Sequence, residues 1–344
     1  MAECGIICIE WSLPTINHHG KRQRGDLIKM DSNKNWEEYS VDVLIPVYRP
    51  DNKLDRLLKM LYQQTVKLNK VIILHTIEYE GQELNLPVIP NSNITIIPIK
   101  KQSFDHGGTR KIGASFSYAD VMVYMTQDAV PADEFLIENL LKPYQDTSVA
   151  ATYARQLAHG HSDLLEDFTR NFNYPKQSYV KSKEDLKTLG IKTYFCSNVC
   201  ASYRKDIYHK LGGFVERTIF NEDMILAATM IDAGYRIAYC AEAKVIHSHR
   251  YSYLEQFTRN FDLGVSHNQY SEIFSKVRSE SEGIKLVKKS LQYLIHKKEY
   301  LRIPDLILTS AFKYLGYQMG LHYDLFPEKF VVHCSMNKGY WKKD

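Results

Sequence analysis

Short apolar runs alternate with helical repeats of apolar residues along the first half of the chain. The runs are β-rich and short enough to be buried strands: residues 41–47, 71–74, 94–99 and 121–125. Between the first two runs, leucines follow helical spacing and predict a helix over residues 54–68, and a second helix is predicted over 110–118. This order of strand, helix and strand is typical of βαβ units in a mostly parallel sheet.

The second half continues the alternation and then becomes helical. Strands are predicted at residues 194–203 and 238–246, and helices at 133–145 and 221–233. From residue 253 to about 320 the pattern is helical. Residues 1–40 have neither period and predict an irregular extension. The expected organisation is an α/β chain of three parts: 1–40, a central domain over 41–252 with halves 41–131 and 132–252, and a helical region over 253–344.

Composition and charge narrow the class of protein. The 344 residues carry a net charge of +4, which does not favour a nucleic-acid binder. No run of 18 or more apolar residues and no secretory signal pattern occurs, so we expect a cytoplasmic protein without a transmembrane helix. The six cysteines form no C-x-x-C pair and are interpreted as reduced thiols.

Polar residues follow three of the predicted strands, where ligands of such sheets bind. Tyr48 and Arg49 follow the first strand, Glu78 the second, and Asp128 the fourth. A carboxylate at the position of Asp128 can hold a divalent metal against a diphosphate. The alternative is a helix cap, although Asp133 can fill that role instead.

Two further segments carry candidate chemistry. Glu222 and Asp223 open a predicted helix, where acids are common because of the helix dipole. The alternative is a general base that projects into a cleft. His247 and His249 follow the last strand, and His247 could share a metal with Asp128 rather than pack as an ordinary histidine.

A glycine-containing loop precedes the second helix. Its glycines and Arg110 favour an anion at the helix start, against the alternative of a plain loop. The segment matches neither G-x-G-x-x-G nor a P-loop, which argues against an oxidoreductase or an NTPase.

Together these segments resemble family 2 glycosyltransferases and, within them, bacterial rhamnosyltransferases. The resemblance runs from about Val41 to Trp341. Its motifs are VLIPVY at 43–48, FDHGGTR at 104–110, TQDAVP at 126–131, YARQL at 153–157, NFNYP at 171–175, SNVCA at 197–201, GGF at 212–214, NED at 221–223, HSH at 247–249 and YLGY at 314–317. The first residue of the usual D-x-D motif is Thr126 here, so metal binding rests on Asp128.

The resemblance implies a GT-A type fold, a Rossmann-like mixed and mostly parallel sheet with a C-terminal helical region. It implies an inverting transfer of L-rhamnose from dTDP-β-L-rhamnose, with Mg²⁺ or Mn²⁺ as cofactor, to a glycan or polyprenyl-diphosphate-linked acceptor of cell-surface polysaccharide synthesis. Asp223 is the expected base beside Glu222, and Asp128 and His247 are the expected metal ligands. The implied donor-binding residues are Pro46, Tyr48, Arg49, Glu78, His106, Gly107, Arg110, Thr126, Gln127 and Asp128. The implied acceptor-side residues are Arg155, Gln156, Ser197 and Asn198.

Two alternatives stay open for the function, and three for the helical region. A UDP-hexose could replace the rhamnose donor, and a non-catalytic nucleotide-sugar-binding assembly protein is the alternative of another class. Residues 285–298 place apolar residues near one helical face and lysines largely elsewhere. This pattern suits either a helix on the inner face of the cell membrane or a helix packed on the central domain. The third alternative is that residues 253–344 form a contact between copies of the chain in a homo-oligomer.

Overall fold

The computed structural model describes residues 34–160, 163–249, 251–276 and 280–342. Within these residues the strands are β1 Val41–Val47, β2 Lys70–Ile77, β3 Ile94–Lys100, β4 Val121–Met125, β5 Val130–Pro131, β6 Val149–Leu157, β7 Tyr179–Lys181, β8 Cys200–Arg204 and β9 Arg236–Ile246. The helices of the central domain are α1 Asn52–Leu61, α2 His106–Ser115, α3 Leu136–Leu141, α4 Leu164–Asn173, α5 Leu186–Leu189, α6 Lys205–Lys210 and α7 Glu222–Asp232. The helical region contains α8 Tyr253–Gln269, α9 Ser271–Phe274, α10 Glu280–His296, α11 Ile303–Leu321 and α12 Glu328–Cys334.

All nine strands belong to one mixed sheet. Its order is β3-β2-β1-β4-β8-β6-β9-β5, and β7 pairs with β9. The first four strands of this order are parallel to one another. Strand β8 runs antiparallel to both β4 and β6, and β6 is parallel to β9. The sheet therefore has a parallel half at residues 41–125 and a mixed half beyond it.

Helix α1 shows why the parallel half forms. Its leucines at 54, 57, 58 and 61 are buried against the sheet, as their helical spacing predicts. Asp51 caps the helix by accepting a hydrogen bond from the Lys53 N–H. The helix ends at Leu61, so the prediction of a helix to residue 68 is too long.

The prediction of a strand over residues 194–203 is wrong for residues 194–199. Only Cys200–Arg204 pairs in the sheet, and the preceding residues form a loop. The buried Lys181 ammonium holds this loop by donating to the carbonyls of Lys192 and Phe195. Backbone groups bonded in this way are unavailable to a strand ladder, and the loop carries Ser197 and Asn198 instead.

The helical region packs through helices α8 and α11. A Cβ added at Gly316 would lie 2.2 Å from the Phe257 carbonyl oxygen, and one added at Gly320 would lie 1.9 Å from that of Phe261. The two helices therefore touch backbone to backbone. Helix α10 buries Ser290 and Leu294. Among the described residues, no helix is both long enough and apolar enough to traverse a bilayer.

Candidate active site

Three side chains of types that can ligate a metal converge at the end of the sheet. Asp128 follows β4, and His247 and His249 follow β9. The His249 Nε2 lies 3.0 Å from the Asp128 carboxylate, and the His247 Nε2 lies 3.7 Å from its other oxygen. The two Nε2 atoms are 3.0 Å apart. One ligand atom from each residue lies within 4.8 Å of the others, so a single cation could contact all three.

The protonation state of this cluster suits a metal. The His247 Nδ1 is 3.2 Å from the Gln156 Oε1, an oxygen that can only accept, so Nδ1 carries the proton and Nε2 keeps its lone pair. Burial lowers the pKa of His247 to about 3, and the ring is neutral at pH 7. Burial opposes ionisation of Asp128, but the hydrogen bond from His249 and the electrostatic interaction with both imidazoles outweigh it and hold the Asp128 pKa well below its usual range.

These residues fit a divalent cation. They offer an ionised carboxylate and a neutral, oriented imidazole, with a second imidazole beside them. Mixed oxygen and nitrogen ligands suit Mn²⁺ better than Mg²⁺, which prefers oxygen alone. A metal held here would also leave room for non-protein ligands, because the three residues supply one ligand atom each.

The second cluster lies at the start of α7. The Asp223 carboxylate accepts hydrogen bonds from the backbone N–H of Asn198 at 2.9 Å and of Met224 at 2.8 Å. Its neighbour Glu222 accepts from the Asn198 side chain at 3.1 Å and pairs with Arg110, also at 3.1 Å. Both side chains of this ion pair are only 7% exposed.

The two acids of this pair titrate in opposite directions. Burial works against the charged form of Glu222, but the Arg110 guanidinium outweighs it and lowers the Glu222 pKa. Burial raises the pKa of Asp223, and the negative charge of Glu222 raises it further. Glu222 is therefore held ionised by its partner, whereas Asp223 is the acid of the pair that can exchange a proton near neutral pH.

A continuous set of hydrogen bonds links the two clusters. Gln156 contacts His247 through its Oε1 and donates from its Nε2 to the Ser197 hydroxyl at 3.0 Å. The next residue, Asn198, donates its N–H to Asp223. Asp128 and Asp223 therefore flank the same short loop, rather than facing different surfaces.

A third cluster lies at the parallel edge of the sheet. Glu78 accepts hydrogen bonds from Tyr48, Arg49 and Lys101 at 2.7–3.0 Å, and these three donors lower its pKa to about 2. Gln127 bonds both the N–H and the carbonyl of Tyr48 and so joins this cluster to the segment of Asp128. Arg49 has a left-handed backbone with φ of 46°, a strained conformation that recurs at functional sites.

The comparisons with known proteins agree on one family. The sequence model of glycosyl transferase family 2 matches residues 42–212. The O-antigen chain rhamnosyltransferase RfbN of Salmonella typhimurium is 40% identical over 304 residues, which span 88% of this chain and 96% of that protein. The chain belongs to glycosyl transferase family 2. The O-antigen chain rhamnosyltransferase WbaN of Salmonella anatum is 38% identical over 305 residues, with the same coverage of 88% and 96%.

A solved structure supports the fold of this family 2 member. The mannosyltransferase PcManGT of Pyrobaculum calidifontis, solved with GDP-Man and Mn²⁺, aligns with a TM-score of 0.52 and 14% identity. The alignment covers 90% of this chain and 86% of that one. The predictions of a GT-A type fold with a C-terminal helical region and of a glycosyltransferase are confirmed.

Several predicted donor residues are engaged with the protein in this family 2 chain. Arg110 is buried and paired with Glu222. Gly107 faces the protein's own backbone, because a Cβ there would lie 1.8 Å from the Val215 carbonyl oxygen. The start of α2 is capped by the Asp105 carboxylate, which also accepts from the N–H groups of Arg217 and Thr218. The start of helix α2 therefore holds the loop before α7 in place. The half-buried His106 lies near Glu222.

The remaining predicted residues lie around the two clusters. Pro46 is half-buried on β1 and opposite Leu74. Thr126 donates its N–H to the Val199 carbonyl, which fixes the Asp128 segment against the loop of Ser197. Arg155, predicted to lie on the acceptor side, donates a hydrogen bond to the side chain of Asn171 in α4.

The sequence interpretation did not assign three groups that the structure brings to the site. His249 joins the metal-capable cluster, and its position two residues after His247 was the available signal. Lys101 binds Glu78, and Arg170 binds Gln156. Lys101 directly follows β3, so its place after a predicted strand was the available signal, whereas Arg170 lies within α4 and only the fold reveals its contact.

Proposed function

We propose that this family 2 member is an inverting rhamnosyltransferase that extends a cell-surface glycan. The observation that carries the proposal is the recessed Asp223, a carboxylate with a raised pKa that is linked through Asn198, Ser197 and Gln156 to the metal-capable Asp128 and His247. The rhamnosyl part rests on the two relatives, which both carry the name of O-antigen chain rhamnosyltransferases.

The donor side lies at the parallel edge of the sheet. Glu78, Tyr48 and Arg49 form a preorganised polar surface beyond β1 and β2, and we assign them to the nucleoside of the donor. Asp128 and His247 would hold Mn²⁺ or Mg²⁺, with His249 beside them. A bound cation supplies charge neutralisation for a nucleoside diphosphate leaving group.

The acceptor side centres on Asp223. Its carboxylate removes the proton from the attacking sugar hydroxyl as the new glycosidic bond forms. Asn198 and Met224 hold the carboxylate in place, while the Glu222–Arg110 pair fixes the start of α7. A single displacement inverts the anomeric carbon, so a β-linked donor yields an α-linked product.

A donor panel tests the choice of sugar and nucleotide. The protein is incubated with Mn²⁺ or Mg²⁺ and with dTDP-β-L-rhamnose, UDP-glucose, UDP-galactose or GDP-mannose, and donor hydrolysis and thermal stabilisation are measured. We expect selective hydrolysis and stabilisation with dTDP-rhamnose. Selectivity for a UDP-hexose would replace the donor assignment, and no response to any donor would favour an assembly protein.

We further propose that the protein binds to an anionic membrane surface through helix α11. Helix α11 exposes Ile307, Leu308, Tyr314 and Leu315, and Leu301 before it is 96% exposed. Lysines 297 and 298, both exposed, precede Leu301 by four and three residues. Apolar side chains with flanking cations suit binding to anionic lipid. By contrast, the predicted amphipathic helix α10 turns Leu294 into the protein and so packs on it at least in part.

Liposome flotation tests the membrane contact. We expect the protein to float with vesicles that contain phosphatidylglycerol, and less so when Leu301, Ile307 and Leu308 are changed to serine. Tyr118→Ala, which removes an exposed aromatic residue elsewhere, is the control. Protein that stays at the bottom with every vesicle would remove the membrane from the proposal, and concentration-dependent self-association through the same residues would assign the face to a second copy.

A further inference from the structure

A cavity of about 340 Å³ lies between the C-terminal residues and the loop before α7. Residues between 323 and 341 form most of its wall, and Arg217 of the loop completes it. None of its lining residues belongs to the metal-capable cluster or to the acids of α7. A volume of this size is within the range of pockets that hold small organic ligands.

Part of the cavity wall is aromatic. The ring centre of Trp341 lies 5.5 Å from that of Tyr323 and 5.3 Å from that of Tyr340, so the three rings form one continuous surface. Each of these residues is half-buried, which leaves part of it accessible to a ligand. The faces of aromatic rings attract polarised C–H groups. This wall therefore suits the C–H face of a sugar ring.

The same cavity is lined by charged side chains that are available to a ligand. Asp324, Glu328 and Arg217 are exposed, and among the described residues none of them forms an ion pair within 4.0 Å. Carboxylates accept hydrogen bonds from hydroxyl groups, and a guanidinium donates to oxygen atoms. Because two acids face one cation, the lining disfavours a phosphate or another anion. It suits a neutral ligand with several hydroxyl groups.

The backbone of Arg217 is strained at the edge of the cavity. Its φ is 55°, in the left-handed region that residues other than glycine seldom adopt. Its N–H donates to the Asp105 carboxylate at 2.9 Å, and its carbonyl oxygen lies 3.2 Å from the Tyr340 hydroxyl, which donates to it. Strain of this kind persists where surrounding contacts impose it, and it recurs at ligand-binding sites.

The loop that carries Arg217 leads directly to Asp223. The two residues are six positions apart, and an extended chain of that length spans at most about 20 Å. An oligosaccharide could therefore occupy the cavity while its terminal sugar lies at Asp223. We propose that the cavity binds a neutral sugar unit of the acceptor glycan, away from the reacting hydroxyl. The inference deepens the proposed function and rests on it, because it takes the acceptor to be a glycan.

Saturation-transfer NMR tests the site with EDTA present and without a donor. The probes are the methyl glycosides of L-rhamnose, D-galactose, D-mannose and D-glucose. We expect wild-type protein to bind at least one of them and Asp324→Asn/Glu328→Gln to bind it about tenfold more weakly, because hydrogen bonds to charged groups are lost. Glu37→Gln/Glu38→Gln, which changes two exposed acids elsewhere, is the matched control and should bind as wild type does.

Two further changes separate binding from folding. Arg217→Gly removes the guanidinium, and glycine adopts a positive φ without strain, so we expect Tm to be preserved while the glycoside affinity falls. Trp341→Phe should retain most of the binding that Trp341→Ser loses, because only the first keeps an aromatic face.

Two results would contradict the assignment of this cavity to a sugar. Equal glycoside affinity of wild type and the cavity variants, or no saturation transfer to any glycoside, would overturn the proposal. Stronger saturation transfer to a lysine-containing peptide than to every glycoside would overturn it in favour of a protein partner.

Transfer assays then relate the cavity to the proposed function. Asp324→Asn/Glu328→Gln should raise the KM for an acceptor oligosaccharide more than the KM for an acceptor with a single sugar. An equal rise for both acceptors would overturn the assignment to the acceptor glycan. If wild type binds glycosides through these residues yet transfers no sugar, the proposed function fails and the sugar-binding cavity remains.

Discussion

The carboxylates of Glu78 and Asp223 occupy the two halves of the same sheet and behave in opposite ways. Glu78, on the parallel half, is about one-third exposed and accepts hydrogen bonds from three donors, so its pKa falls to about 2. Asp223, on the mixed half, is recessed beside the ionised Glu222, so its pKa rises. The surroundings, rather than the residue type, decide which acid stays ionised for binding and which can accept a proton.

The same contrast separates cations that are neutralised from cations that are not. Arg49 and Lys101 surround Glu78, and Arg110 is paired with Glu222. Arg259 of α8 packs on the rings of Phe220 and Tyr251 and, among the described residues, forms no ion pair within 4.0 Å. On the proposed function, the parallel half offers the donor nucleoside a charge-balanced surface, whereas the mixed half keeps Asp223 as a carboxylate that can accept a proton. The following tests address this comparison.

Asp223→Asn should have the largest effect. Loss of a positioned base typically costs ~10²–10⁴-fold in rate, so we expect transfer to fall by that amount while dTDP binding persists. Because the folded-state pKa of Asp223 is raised, its ionisation above that pKa costs stability, and the variant should not lose Tm at pH 8. Asp232→Asn on the same helix is the control for turnover and melting. Near-normal transfer by Asp223→Asn would exclude Asp223 as the base.

Asp128→Ala comes next. We expect a loss of about 10–100-fold in metal-dependent dTDP affinity, the size seen when groups around a metal site are removed. Calorimetry with Mn²⁺ and with EDTA measures it, and Asp133→Ala is the matched control. Unchanged affinity in the presence of metal would show that Asp128 does not hold the cation.

Glu222→Gln should act through stability and through the pH profile. Breaking one side of a buried ion pair typically costs about 3–5 kcal/mol, which urea unfolding would reveal. In wild type, turnover should rise with pH through the raised pKa of Asp223. Without the Glu222 charge that pKa falls, so this limb should move to lower pH. Glu216→Gln, in an exposed pair with Lys111, should leave both properties unchanged. A stationary limb would argue against control of Asp223 by Glu222.

Lys101→Ala should have the smallest effect. Lys101 binds Glu78 in solvent, where such pairs contribute little, and Tyr48 and Arg49 remain. We expect no measurable change in Tm and a less than threefold change in the donor KM. A loss as large as that of Asp128→Ala would show that the exposed cluster dominates donor binding.

The hydrophobic patterns predicted helices and strands well where the burial of a single apolar surface determines the element. The leucines of α1 and the apolar runs of β1 to β4 specify buried surfaces directly, so those elements were found. The predicted strand was wrong at residues 194–199. Their apolar character suits a strand, but the buried Lys181 from another segment binds backbone carbonyls at this loop. No local pattern contains that information.

The candidate site was predicted only in part for the same reason. Asp128, His247 and Asp223 follow strand ends or open a helix, and such positions can be read from the chain. The pairing of Arg110 with Glu222 joins residues more than one hundred positions apart, and the aromatic support of Arg259 depends on how the helical region packs. These contacts exist only after long-range folding.

The residue before α7 connects the segment of Asp223 to the helical region. Asn221 has a left-handed conformation, φ 66°, and its side chain donates to the hydroxyl of Ser266 on α8, which in turn donates to the Phe220 carbonyl. A protein cut after Ser252 would retain Asp128, both histidines and Asp223, yet lack the group that supports this turn. If Asp223 is the base, as proposed, the helical region supports the turn that positions it, and an isolated central domain is an unsuitable starting point for engineering a smaller enzyme.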